Sequence, residues 1–132
     1  MVFMSKYSSY CYALMRIVAG FLFLWHGAQK LFGFPSAMPG GVPAFITYVA
    51  GPIELIGGIL VMIGLFTHWA AFITSGQMAV AYWMVHGTKA LLPIQNQGEL
   101  AALYCFVFLF IASQGGGIWS IDALISRQKT HG

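Results

Sequence analysis

From Leu55 to Thr88 the chain runs 34 residues without an Asp, Glu, Lys or Arg. One unbroken helix of that length would extend about 51 Å, well past the roughly 30 Å hydrocarbon core of a bilayer. The run must therefore hold two apolar helices and a turn. The polar pair Thr67-His68, just after Gly64, marks the turn.

The rest of the chain shares this poverty of charge. Its 132 residues include six Lys and Arg and three Asp and Glu, or 7% charged, where a soluble domain carries roughly 25%. Nine charges cannot hydrate the surface of a compact body of this size. Soluble enzymes, nucleic-acid binders and disordered tails are excluded together, and a mean hydropathy of +0.80 agrees with lipid as the main solvent. The basic residues stand singly, with no stripe to track phosphates, so no nucleic-acid partner is expected. Cys11 and Cys105 form neither a CxxC pair nor a zinc spacing, and read as small packing residues.

The apolar runs predict an all-α chain, a four-transmembrane-helix bundle of up-down-up-down order in one membrane domain. The expected spans are 7–32, 44–66, 69–87 and 99–114. Gly33 to Pro43, with three prolines and three glycines, excludes a continuous helix and forms the first outer loop. Residues 88–98 form the second, and residues 115–132 a cytoplasmic tail. The first span reads as uncleaved: its basic n-region is Lys6 alone, and Arg16 interrupts the apolar stretch. Four crossings put both termini on one side. Lys6, Arg127 and Lys129 against Lys30 and Lys89 favour cytoplasmic termini under the positive-inside rule.

Two charges fall where lipid should be. Arg16 lies nine residues into the first span and Glu54 ten into the second, about 13 and 15 Å from opposite ends. An unpaired charge near mid-depth costs at least about 2.5–3.5 kcal/mol, so an Arg16–Glu54 ion pair is expected. Arg16, Gly20, Phe23, Gly27 and Lys30 share one arc of the first helix; Gly51, Glu54, Gly58, Val61 and Leu65 share one of the second. Small residues on both arcs allow close approach in lipid. The pair reads either as a structural lock or as an anchor for something held in a cavity.

A second polar group gathers near the outer ends: His26 and Lys30 one turn apart, His86 and Lys89 leaving the third helix, and Glu99 starting the fourth. An interfacial belt accounts for Lys89, Trp83 and Tyr104. It suits His26 and Glu99 less well, because their side chains are too short to snorkel. His26, Lys30, Glu99 and His86 could instead hydrogen-bond a quinone-like ring and relay protons to it. Axial haem ligation by His26 and His86 would consume the interior of so small a bundle; neither haem nor a metal centre is expected. Gln77, half a turn from the His86 face, reads as a contact between helices.

These residues, in this order, resemble the DoxX family of small bacterial integral membrane proteins. The resemblance runs from about Met15 to Asp122. It rests on Arg16 with Gly20, His26-Gly27-x-x-Lys30-Leu31-Phe32-Gly33, and Gly51-x-x-Glu54-x-x-Gly57-Gly58. Gly64-Leu65-x-Thr67, Gly98-Glu99-Leu100 and Gly117-x-Trp119-Ser120-Ile121-Asp122 complete it. The resemblance implies a four-helix protein of the bacterial inner membrane, linked to membrane oxidoreductase complexes and to thiol or quinone stress. His86 is not carried over from the family, and its candidacy rests on local geometry. The expected function is an oxidoreductase-associated membrane protein that binds a quinone or similar apolar redox molecule. Its expected partners are the lipid bilayer, an oxidoreductase protein and a second copy of itself. The alternative is a non-enzymatic anchor or oligomeric small-solute carrier whose intramembrane polar residues are structural.

Overall fold

The computed structural model describes residues 2–36 and 44–131, and every regular element among them is helical. A one-turn helix α1 (Val2–Ser5) precedes α2 (Ser8–Phe32), which Gly33 ends in the left-handed region by returning its N–H to Gln29 O. The remainder of the expected first outer loop, 37–43, lies outside the described residues. A π-helical turn, Ile46–Ala50, runs directly into α3 (Gly51–Ile63). Its cause is legible at Pro52, which has no N–H for the carbonyl four residues back and crowds it with its ring. The ladder skips a residue, and Gly51 N–H reaches Ile46 O instead.

The predicted turn in the uncharged run is present. Gly64, at φ +71, stops α3, and Thr67 opens α4 (Thr67–Ala81). A second π-helical turn, Tyr82–His86, closes with Gly87 N–H on Tyr82 O. A short α5 (Pro93–Asn96) crosses the second loop before α6 (Glu99–Gln114). The expected tail is structured too: residues 115–120 fold back onto the bundle and lead into α7 (Ile121–His131). Two helical stretches, Ser8–Phe32 and Ile46–Ile63, are long and apolar enough to cross a bilayer, and α6 is a shorter apolar helix.

Helices α2 and α3 run antiparallel. Gly20 lies against Met62 and Gly58, and Gly27 against Leu55 and Gly51, so α2 and α3 meet backbone to backbone. A Cβ on Gly20 would stand 2.5 Å from Met62 N. In lipid, such fit replaces the hydrophobic drive between helices. Helices α4 and α6 meet through Ala70, Ala71 and Ser75, whose hydroxyl donates to Cys105 O at 2.7 Å. Phe23 from α2 closes the ring by packing on Tyr104 and Phe108, with centroids 5.1 and 4.8 Å away. Cys105 packs beside this core, whereas Cys11 is exposed. The outward faces carry Leu14, Val18, Phe21, Phe72, Leu103 and Phe106 uncovered, as a surface solvated by lipid requires.

Candidate functional site

The glycine seam sets the register of α2 on α3, and the register decides which charges meet. Residues Gly20 to Gly27 face Met62 back to Gly51, so Glu54 comes level with the C-terminal end of α2 and Arg16 with the C-terminal end of α3. The Arg16–Glu54 pair expected from depth does not form. Measuring depth from the span ends placed both groups at mid-core, but Arg16 and Lys30 are fourteen residues, or about 21 Å, apart along α2. Glu54 meets the second of these. Lys30 Nζ is 3.0 Å from Oε1 and 2.9 Å from Oε2, with the two side chains 14% and 3% exposed.

Arg16 is fully buried and spends its fork on backbone oxygens. Nη1 donates to Val61 O and Met62 O at 2.8 and 2.9 Å, and Nη2 to Ile118 O and Trp119 O at 3.2 and 2.8 Å. These oxygens belong to the last turn of α3, where carbonyls run short of helical donors and Val61 O otherwise accepts only a 3.2 Å bond from Gly64 N–H, and to the returning segment 115–120. A Cβ on Gly64 would lie 2.9 Å from Nη1, so glycine there serves both the turn and the guanidinium. Asp122 completes the clasp. Its carboxylate accepts from Phe66 N–H, Thr67 N–H and Thr67 Oγ1 at 2.9, 2.9 and 2.7 Å, capping α4 from a distant part of the chain. Partial burial pushes this carboxyl upward, but the hydrogen bonds from Thr67 and Phe66 outweigh it and hold Asp122 below the ordinary aspartate value.

At the other end the helices part around a cavity of about 740 Å³. Its floor is buried and mixed: Phe23, Met78 and Tyr104, with Glu54 and its partner Lys30. His26 joins them, its ring 6.0 Å from that of Tyr104. Tyr104 is therefore not a belt residue; it is buried and stacks on Phe108 at 5.6 Å. Both π-helical turns line the cavity, which also receives His86, Lys89 and Gln97 from its outer rim. Most of the wall is apolar, with a few converging polar groups, the usual make-up of a small-molecule site.

Of the four residues expected to hold a ligand, His26, Lys30 and His86 line this cavity and Glu99 does not. Glu99 is exposed and borders a shallow depression with Pro93, Ile94 and Leu103. The reason is helical phase: Leu100, Ala101 and Tyr104 occupy the cavity side of α6, and Glu99 is turned away at its first residue. Gln77, expected to sit opposite His86, shares the cavity with it. The intervening π-helical turn absorbs an extra residue and rotates the end of the helix back toward the Gln77 side.

Asn96 was not singled out by its sequence context, yet it organises the rim. It is 2% exposed, donates through Nδ2 to Tyr82 OH and Ala90 O at 3.1 Å each, and accepts from Gly98 N–H at 2.8 Å. Its backbone oxygen lies 3.0 Å from His86 Nδ1. A carbonyl can only accept, so this contact puts a proton on Nδ1 and leaves the neutral ring's Nε2 as an acceptor. No local pattern announces such a residue, because its partners come from both sides of the loop.

The DoxX family model matches residues 12–87, which include Arg16, the glycine seam, the Lys30–Glu54 pair and both π-helical turns. An uncharacterized protein of Haemophilus influenzae is 42% identical over 125 residues, covering 90% of this chain and 93% of its own. CatD of Bacillus subtilis, provisionally described as an oxidoreductase, is 28% identical, with 90% of each chain covered. The inner membrane protein YqjF of Escherichia coli is 26% identical over 86% of this chain and 90% of its own. No solved structure matches the chain.

Proposed function

Because the chain belongs to the DoxX family of membrane proteins, we propose that it binds a quinone or similar apolar redox molecule in the cavity between its helices, as the membrane component of an oxidoreductase system. The observation that carries this reading is the conjunction of a largely apolar 740 Å³ cavity with a Lys30–Glu54 pair in its floor, Glu54 buried and Lys30 mostly so. An ion pair costs several kcal/mol to desolvate, and in lipid such groups accompany ligand or proton pathways. Ring oxygens of a bound quinone would lie within the reach of His26 and Lys30, and His86 Nε2 at the rim would exchange protons with the outer side. The chain's own residues hold and orient the ring and move protons; the two electrons come from the partner oxidoreductase. CatD's description supports that association.

The membrane arrangement that goes with this reading has four crossings, made by α2, by the first π-helical turn with α3, by α4 with the second, and by α6. Lys6, Arg127 and Lys129 against Lys30 and Lys89 favour cytoplasmic termini under the positive-inside rule. The test is saturable binding of a benzoquinone to the purified protein. Wild-type binding, weakened in His26→Ala and Glu54→Gln but unchanged in Glu99→Gln, supports the reading. An equal loss in Glu99→Gln, or no binding by the wild type, overturns it.

A further inference from the structure

The cavity is too large for a ring alone, and its exposure gradient shows where the excess leads. An apolar cavity of about 150 Å³ holds benzene; this one has about five times that volume. Its floor residues Phe23, Glu54, Met78 and Tyr104 are 0–8% exposed. Phe45 and Val49 on one side, and Val80 and Met84 on the other, line the same cavity yet are 50–57% exposed. They mark an opening in the side of the bundle. Neither π-helical turn contributes a buried residue, so the helices stand apart here instead of packing. The edges of this opening are apolar side chains. Away from the floor the cavity is bordered by the loop that Asn96 pins in place, through Lys89 and Gln97.

We propose that the gap between the two π-helical turns is a lateral entrance from the bilayer, and that the ligand is tail-bearing: its ring lies on the Lys30–Glu54 floor while its hydrocarbon tail leaves between Val49 and Met84. This rests on the quinone reading of the same cavity and adds the class of quinone and its route. Tail burial gains little from the hydrophobic effect, since the tail leaves one apolar medium for another. What the entrance provides is access and orientation. A tailless ring uses the floor and leaves most of the wall empty.

The test uses the full chain in lipid nanodiscs and three probes: a methyl-substituted benzoquinone without a tail, the same ring with a decyl tail ending in a diazirine, and decanol carrying that diazirine. Photolabelling by the tailed quinone is expected within Phe45–Ala50 and Val80–His86; label confined elsewhere overturns the entrance. The double variant Val49→Trp, Met84→Trp adds bulk at two half-exposed side chains, so the core packing is untouched. It is expected to weaken the tailed quinone at least about tenfold while leaving the tailless ring within about twofold. Equal effects on both quinones overturn the entrance and leave quinone binding standing. Decanol that labels the rim and competes as well as the tailed quinone supports the entrance and overturns the quinone reading. Failure of all three to bind overturns both.

Discussion

Lys30 Nζ bridges both carboxylate oxygens of Glu54, at 3.0 and 2.9 Å, across a helix seam in which glycine backbones touch. The closeness of the seam and the pairing are one fact. Helices held this tightly have a single register, and that register brings Lys30, not Arg16, to Glu54. Each cation then has its own task. Lys30 completes the cavity floor, and Arg16 ties the returning segment 115–120 to the end of α3.

Neutralising one member of the Lys30–Glu54 pair strands the other charge in a buried site. Lys30→Met or Glu54→Gln is expected to cost about 3–5 kcal/mol, with most of it restored in the double variant. The contrasting cycle is Arg16→Met with Glu54→Gln. Those sites are too far apart to share a partner, so their losses are expected to add within about 0.5 kcal/mol. Thermal unfolding in one detergent measures both cycles. Strong coupling in the second and none in the first would reverse the assignment.

The seam predicts opposite fates for two glycine substitutions. Gly27→Ala drives a methyl into the backbone at Leu55 and Gly51, which cannot rotate aside; overpacking of this kind costs about 1–3 kcal/mol. Gly76, in the middle of α4, has nothing within 4 Å of an added Cβ. Gly76→Ala is expected to be neutral or stabilising by up to about 1 kcal/mol through helix propensity. A neutral Gly27→Ala would show that the helices do not meet along this line.

Asp122 gives stability a dependence on acid pH. Its folded value is depressed, so its contribution is fully present above the ordinary aspartate value of about 4 and is lost as pH falls through the lower folded value. The unfolding temperature of the wild type is expected to drop over that acid window more than that of Asp122→Asn. At neutral pH the variant is expected to be less stable by about 0.5–2 kcal/mol, the usual value of a helix cap. Parallel pH profiles would remove Asp122 from the clasp.

Features set by local pattern were legible in the chain. The helices, the turn after Gly64 and the facing glycines Gly20, Gly27 and Gly58 come from periodicity and composition, which act over a few residues. Three of four candidate ligand residues, His26, Lys30 and His86, line the cavity, because each lies toward the C-terminal end of its helical stretch. Glu99 lies near the same level and fails on helical phase alone. His86 was rotated toward the Gln77 side by a π-helical turn, a change in phase that hydropathy does not record. Asn96 could not be found at all, since its value lies in bonds to Tyr82, Ala90 and Gly98 that exist only once the loop has closed.

The sequence by itself determined the solvent and the elements. Nine charges in 132 residues leave lipid as the medium, and 34 uncharged residues around a glycine turn require paired helices. Only the tertiary structure decided the partners: Glu54 with Lys30, Arg16 with four carbonyls, Asp122 with the start of α4, and an open flank where two helices widen. The reason is physical. A helix's face is dictated by a period of 3.6 residues, but where it sits along its neighbour is set by backbone contacts at a few glycines. A slip of one turn there moves every charge by about 5 Å, enough to break the Lys30–Glu54 pair and pull Arg16 off its carbonyls.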